Sequence, residues 1–404
     1  MRETILPRFR PLNGLIPTRA VQPHGSVKIS PRYCGLNSKL TKALERDWMT
    51  CIQKLSITPR NSILYWMDSK EIPDSYSTGL AGTGKTMMAI ESARRSAAMG
   101  RQVLFLCFNN KLSEWLNHEM EPLKKHVRTS TIHRYMLDLA HGITIPKDPP
   151  REFWDVELPE AAMTTLLENP HTFDELIVDE AQDLLATRYW DLMDLSLQGG
   201  LTKGRCRFFG DFANQEIYET SQMTNLKIIN QLYDLETSFT LTNNCRNTPE
   251  ITSLLNGLSI IKEKYRKTLR PTNGIVPQFV EYGQNTAEGA LTEVLDNLTA
   301  QGYPPETIMV LSPHNTRSTA AAMSQEPWKS HLKSFKINQK GYVQYSSIYA
   351  FKGLESPVVI VTDIPTIKPD PNGKSNKHHA LFYTAVTRAI ERVIIIVPSY
   401  KGFM

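Results

Sequence analysis

The chain has 404 residues, 46 Lys and Arg against 41 Asp and Glu, and a formal net charge of +5. That length suits two or three domains, and so mild a charge means that any nucleic-acid surface must come from local placement of cations. Cys34, Cys51, Cys107, Cys206 and Cys245 are scattered and show no C-x-x-C spacing, which argues against a disulfide framework or a zinc site. No apolar run reaches the length of a membrane span, so a cytoplasmic location is expected.

Residues 1–40 carry Arg2, Arg8, Arg10, Arg19, Lys28, Arg32 and Lys39 against Glu3, with five prolines. Such a segment buries too little to fold alone and reads as a solvated arm, with a nucleic-acid-touching arm as the alternative. Leu40, Leu44, Trp48, Cys51, Ile52 and Leu55 have helical spacing with one buried face.

The stretch Gly79-Leu80-Ala81-Gly82-Thr83-Gly84-Lys85-Thr86 fits G-x-x-x-x-G-K-[ST]. In that pattern glycines let backbone N–H groups turn around phosphate oxygens, a lysine neutralises the terminal phosphates and a hydroxyl holds Mg²⁺. Good helix formers follow from Met87 to Met99 and stop at Gly100, which aims a helix N-terminus at the anion. Such a loop is ordinarily fed by a buried, β-branched strand. The polar Asp74-Ser75-Tyr76-Ser77-Thr78 does not fit, and the approach is expected to be irregular.

Gln102–Cys107, Leu176–Val178 and Arg205–Phe209 are short apolar runs that read as buried parallel strands. The second ends in Asp179-Glu180-Ala181-Gln182-Asp183 and the third in Gly210-Asp211. Ligands of open parallel sheets sit at the carboxyl ends of strands, so these polar loops should converge on the nucleotide. Asp179 suits Mg²⁺ beside Thr86, Glu180 suits activation of a water, and Asp183 reads as a structural carboxylate. Phe279–Tyr282, Ile308–Leu311, Val358–Val361 and Val393–Val397, separated by helical stretches such as Ala287–Leu298, read as a second α/β unit.

In order, Gly79 to Thr86, Cys107-Phe-Asn-Asn110, Thr131-Ile-His133, Asp179 to Asp183 and Gly210-Asp211 with Gln215 resemble the successive motifs of UvrD/Rep-like superfamily 1 helicases. The second half agrees through Leu241-Thr-Asn-Asn-Cys-Arg246-Asn, Ile348-Tyr-Ala-Phe-Lys352-Gly353-Leu354-Glu355 and Phe382-Tyr-Thr-Ala-Val-Thr387-Arg388-Ala389. The resemblance implies an α/β protein of two RecA-like P-loop domains with parallel sheets and an interdomain ATP cleft. The first would occupy 41–240, with a short insertion near 134–174, and the second 241–404.

By resemblance, Gly79, Ala81, Gly82, Thr83, Gly84, Lys85, Thr86, Gln215, Gly353 and Glu355 hold ATP, Thr86 and Asp179 hold Mg²⁺, and Glu180, Lys85, Gln182, Arg246 and Arg388 are catalytic. Arg246 and Arg388 gain sense from γ-phosphoryl charge, which an arginine on the opposite wall offsets when the cleft shuts. Phe108, Asn109, Thr131, His133 and Tyr218 would line a single-stranded track. Core packing is the alternative for Phe108, and a satisfied hydrogen-bonding role the alternative for His133.

The chain also departs from the family. Room for accessory subdomains is small, Glu219-Thr-Ser221 stands where relatives place a stacking tryptophan, and Gln53 lies far upstream for adenine reading. The expected activity is an ATP-dependent translocase or helicase on single-stranded DNA, which the resemblance favours over RNA, with 3′ to 5′ polarity and a possible protein partner such as a nuclease. The alternative is a nucleic-acid-responsive ATPase switch or regulatory subunit.

Overall fold

The computed structural model describes residues 74–140, 142–184, 187–212, 237–257, 264–283, 286–337, 339–364 and 377–399. The basic arm, the expected helix at 40–55, Gln53, Gln215 and Tyr218 lie outside these residues. Two six-stranded sheets, each parallel throughout, organise them.

The first sheet holds β1 (Asp74–Gly79), β2 (Val103–Cys107), β3 (Val127–Thr131), β4 (Glu175–Asp179), β5 (Arg205–Gly210) and β6 (Thr237–Leu241) in the order β3-β2-β4-β5-β1-β6. Its helices are α1 (Lys85–Ala98), α2 (Asn110–Met120), α3 (Ile132–Leu139), α4 (Leu158–Glu168) and α5 (Thr187–Ser196). Gly84, at φ 93°, takes the left-handed conformation that starts α1, a conformation costly for residues with a Cβ. Ala89, Ala93 and Ala97 bring that helix close to the sheet, where Met88 and Ile90 join a core with Phe105, Ile177 and Phe209. The opposite face is covered by α3, α4 and α5 around Tyr135, Leu158 and Trp190. Both faces are therefore dry, which is why β2 and β4 are buried at every position.

The polar approach to the loop is a regular strand. β1 pairs with β5 on one side and β6 on the other, Ser77 facing Phe209 and Phe239 in register. Ladder hydrogen bonds from two neighbours hold the backbone whatever the side chains are, and Ser77 is completely buried without a partner for its hydroxyl. Close approach sets the composition at the strand end. A Cβ on Gly79 would lie 2.7 Å from the Leu241 carbonyl oxygen.

After the short pair β7 (Asn243–Asn244) and β8 (Lys267–Thr268), the second sheet contains β9 (Gln278–Tyr282), β10 (Ile308–Ser312), β11 (Leu332–Ser334), β12 (Val343–Ser347), β13 (Ser356–Val361) and β14 (Ala389–Pro398), in the order β11-β12-β10-β13-β14-β9. Helices α6 (Pro249–Gly257), α7 (Ala287–Ala300) and α8 (Lys377–Val386) pack on it. The four apolar runs read from the sequence are β9, β10, β13 and β14. β11 and β12 escape such a reading because Leu-Lys-Ser and Val-Gln-Tyr-Ser-Ser are short and mixed.

The two units share packing. Leu80 and Ala81 of the phosphate loop sit in a core cluster made otherwise by the second unit, with Tyr265, Phe351, Leu381 and Tyr383. Trp115 of α2 packs against this cluster and its own. Gly353 lies against α2, where a Cβ would come within 2.9 Å of Leu112 Cδ2. Among the described residues, no helix is long and apolar enough to cross a membrane.

Candidate active site

The parallel ladders carry the ends of β1, β4 and β5 to one place. Lys85, buried at the start of α1, donates to the Gly79 and Leu80 carbonyls at 2.7 and 3.0 Å, and Thr83 Oγ1 donates to Leu80 at 2.7 Å. Burial pushes the Lys85 ammonium below its ordinary range, against the opposing pull of Asp211, Glu180 and Asp179. The loop thus closes on its own carbonyls.

At the end of β4, Asp179 is buried and neither carboxylate oxygen has a hydrogen-bond partner. Burial, with the Glu180 charge beside it, pushes its carboxyl up to about 7, and Thr86 pulls the other way. An orphaned carboxylate facing a hydroxyl at a phosphate loop is a hard oxygen donor set, and Mg²⁺ takes one or two carboxylates plus phosphate and water oxygens. Asp179 and Thr86 therefore fit the ion expected of them. Among the described residues no group of three or more His, Cys, Asp or Glu forms a metal cluster.

Glu180 adopts φ 52°, a strained conformation for a residue with a Cβ. Burial works to raise its pKa, but Lys352, Lys85 and Arg388 together hold it below the usual carboxylate range. Its Oε2 accepts from Gln182 Nε2 at 2.5 Å, and Gln182 Oε1 accepts from the Asp211 N–H at 3.1 Å. A Cβ on Gly210 would meet Gln182 Oε1 at 2.8 Å, so that glycine makes room for the amide. Asp183, read as structural, takes the Lys352 ammonium at 2.7 and 2.8 Å. Burial outweighs even this ion pair and raises the Asp183 carboxyl to about 6.

The second unit forms the opposite wall. Arg388, just beyond α8, is 1 % exposed, and its guanidinium donates to Thr384 O, Leu354 O and Thr387 Oγ1 at 3.0, 3.3 and 3.1 Å. All three acceptors are neutral. Burial, then the neighbouring Arg246, lowers its pKa to about 10, while Glu180 pulls it up across the cleft. Arg246 donates from Nε to Glu355 at 2.5 Å and from its terminal nitrogen to Thr387 O at 3.4 Å. Its segment also grips the loop, since the Cys245 N–H donates to Gly82 O at 2.8 Å. Two tyrosines complete the wall. Tyr265 donates to Ala81 O at 2.8 Å, and Tyr383 accepts the Ala81 N–H at 2.7 Å while donating to Asp211 Oδ2 at 3.0 Å.

The expected strand-binding residues are placed elsewhere. Phe108, just past β2, and His133, in the first turn of α3, meet edge to face at 5.4 Å, and His133 also meets Trp154 and Tyr189 at 5.5 and 5.7 Å. The Tyr189 hydroxyl lies 3.1 Å from His133 Nε2. Burial, then the Arg188 charge, lowers the His133 pKa to about 4. Thr131 Oγ1 accepts from the Arg134 N–H and starts α3. Asn109 caps α2, accepting from the Lys111 and Leu112 N–H groups, and donates across to Tyr349 O and Ala350 O at 2.8 and 3.2 Å. Such a cap is worth about 1 kcal/mol.

The structure thus brings Lys85, Thr86, Asp179, Glu180, Gln182, Arg246, Glu355 and Arg388 to one cleft. It adds Lys352, Tyr383, Asp211 and Tyr265, which have no assigned role in the sequence reading. Lys352, Tyr383 and Asp211 stand inside motif stretches and could have been singled out there. Tyr265 carries no signal of any kind.

Comparison with known proteins meets this geometry at both walls. A profile described as an AAA domain matches residues 74–221, and one described as a UvrD-like helicase C-terminal domain matches residues 342–396. The two matches, one on each unit, support the resemblance to UvrD/Rep-like superfamily 1 helicases. Among solved structures, the chain is similar to arterivirus nonstructural protein 10, a helicase in a complex with DNA, at 15 % identity and a TM-score of 0.39. That likeness covers 82 % of this chain and spans 61 % of the arterivirus chain. No curated protein matches significantly.

Proposed function

We propose that the chain is a Mg²⁺-dependent ATPase that moves on single-stranded nucleic acid, DNA before RNA, with 3′ to 5′ polarity. Residues 41–240 and 241–404 serve as the two halves of the motor, with a short insertion near 134–174. The observation that carries this reading is the pairing, across one cleft, of a buried carboxylate without a donor, Asp179, with a buried guanidinium held by neutral oxygens, Arg388. Each charge is expensive where it stands and is relieved by an ion of opposite sign. A metal-bound polyphosphate supplies both.

In this reading the loop from Gly79 to Thr86 and Lys85 hold the phosphates. Mg²⁺, when bound at Thr86 and Asp179, offsets phosphate charge. Glu180, kept ionised by Lys352, Lys85 and Arg388, takes a proton from the attacking water. Arg388 offsets charge on the transferred γ-phosphoryl, and Arg246 assists from beside it with Glu355. Gln182 and Gln215 report the γ-phosphate. Closing and reopening of the cleft then alternate the grip on a strand passing Phe108, Asn109, Thr131, His133 and Tyr218.

A second reading has one observation in its favour. Asn109, Thr131 and His133 already have partners within the protein, which leaves fewer groups to grip a moving strand. This suits a nucleic-acid-responsive ATPase switch working with a protein partner. ATP hydrolysis measured with and without single-stranded DNA, duplex and RNA tests both readings. Stimulation with streptavidin displacement from single strands selects the motor, stimulation without it selects the switch, and no stimulation by any of the three undoes both.

A further inference from the structure

The groups around Glu180 form a continuous hydrogen-bonded chain that leaves the first unit and returns to it. It starts at the Ala81 N–H of the phosphate loop, passes through the Tyr383 hydroxyl at 2.7 Å and reaches Asp211 Oδ2 at 3.0 Å. From Asp211 the main-chain N–H continues to Gln182 Oε1 at 3.1 Å, and Gln182 Nε2 ends the chain on Glu180 Oε2 at 2.5 Å. A backbone N–H at one end can only donate and a carboxylate at the other can only accept. Tyr383, which accepts from Ala81, turns its proton to Asp211, and the Gln182 amide is oriented by the Asp211 N–H on one side and Glu180 on the other, with Asp211 joining the two halves through its own covalent frame.

Tyr383 is the one side chain in this path that belongs to the second unit. It is 1 % exposed and sits on α8, five residues before Arg388. Its hydroxyl lies against the same loop residue whose carbonyl Tyr265 holds. Movement of α8 away from the loop removes the donor to Asp211 and leaves the Ala81 N–H without an acceptor. The Tyr383 phenol thus joins the arginine wall to the hydrogen bonds that hold the carboxylate, beside the ammonium of Lys352, which reaches Glu180 Oε2 at 4.0 Å.

We infer that Tyr383 is a positioning residue that couples closure of the cleft to the placement of Glu180, through Asp211 and Gln182. This rests on the reading of Glu180 as the group that activates water for ATP hydrolysis. Arg388 brings the charge to the closed cleft, and Tyr383 sets the base in the same movement. Hydrolysis in an open cleft is disfavoured twice over, because the guanidinium is remote and the carboxylate has lost its ordered support.

The test uses the full chain with ATP and Mg²⁺, with steady-state hydrolysis and nucleotide affinity measured separately. Wild-type turnover is the first arm: without it the ATPase reading fails, independently of Tyr383. With an active wild type, Tyr383→Phe should lower kcat about tenfold while the Kd for ATP stays within about twofold, since the phenyl ring keeps its packing. Gln182→Ala should lower kcat similarly, and the double variant should be little worse than either single one, because both cut the same chain. Unchanged kcat in Tyr383→Phe, or fully multiplicative losses in the double variant, would overturn the inference. If Tyr383→Phe does not fold, Asp211→Ala cuts the same link from the first unit. It should give the same fall in kcat with retained affinity, and unaltered kcat there overturns the inference as well.

Discussion

The cleft and the aromatic cluster around His133 handle buried polar groups in opposite ways. The cleft keeps charge in excess of its partners: Asp179 has no donor, Arg388 has neutral acceptors alone, and Lys85 is depressed by burial. The cluster pairs most of its groups, Arg188 Nε excepted. His133 is neutral, bonded to Tyr189 and enclosed by Phe108, Trp154 and Tyr189, while the nearby Arg188 and Asp155 pair at 2.6 Å. The first arrangement stores unfavourable energy that a ligand can release, and the second stabilises the apo fold.

The largest expected effect lies on the cleft side. Arg388→Ala should lower kcat for ATP by about 10³-fold or more, the scale of arginine-finger losses. Affinity for ATP in an equilibrium titration should change little, because the guanidinium acts on charge developed during transfer. A loss confined to affinity would refute the finger role and put Arg388 on the same footing as the satisfied groups of the cluster.

Next in size is Lys352, which belongs to neither pattern. Its ammonium is 2 % exposed and pairs with an equally buried Asp183, with Glu180 Oε2 at 4.0 Å. Removing one partner of a buried pair strands the other, so Lys352→Met should destabilise the protein by about 3–5 kcal/mol in denaturant unfolding. The double variant Lys352→Met with Asp183→Leu should recover much of that loss. Failure to recover would show that the lysine serves Glu180 above Asp183.

These residues also show how far the sequence reaches. The loop, the D-E-A-Q-D turn and the two arginines are legible because phosphate chemistry demands particular side chains at fixed spacing along a short stretch. β1 is not, because its strand character comes from the ladders of β5 and β6 and leaves no trace in Asp-Ser-Tyr-Ser-Thr. Asn109 is legible as part of a motif, yet its cap on α2 and its bonds to Tyr349 and Ala350 depend on where the second unit docks. Tyr265 and Ala81 stand 184 positions apart, and no local pattern can announce such a contact.

On the cluster side, pH tests the comparison. The His133 pKa falls from 6.5 to about 4 on folding, so between those values the unfolded chain binds more protons. Stability therefore rises with pH across that window and falls on acidification below 6.5. At pH 5 the loss is about 2 kcal/mol from this residue alone. Unfolding midpoints of the wild type and His133→Gln, measured from pH 7 to pH 4.5, should converge as pH falls. Parallel profiles would mean that the imidazole is protonated in the fold and that the cluster is not the satisfied region described above.

The smallest effect is the sharpest, because its sign is opposite. Asp179 is held near 7 in the fold against an ordinary 3.8, so the native state binds the extra proton between those values. Its contribution is neutral below about pH 4, grows unfavourable as pH rises from there, and levels off above about 7. Asp179→Asn removes the charge and keeps the shape, and it should raise nucleotide-free stability by about 1 kcal/mol at pH 8, less than the full linkage value because the denatured reference also changes. The same variant should lose Mg²⁺-dependent hydrolysis. A substitution that strengthens the fold while it removes function marks a position where the sequence retains an uncompensated charge for its ligand. An Asp179→Asn protein less stable than wild type at pH 8 would instead mean that the carboxylate is supported in the apo state, and the contrast between cleft and cluster would fail at its central residue.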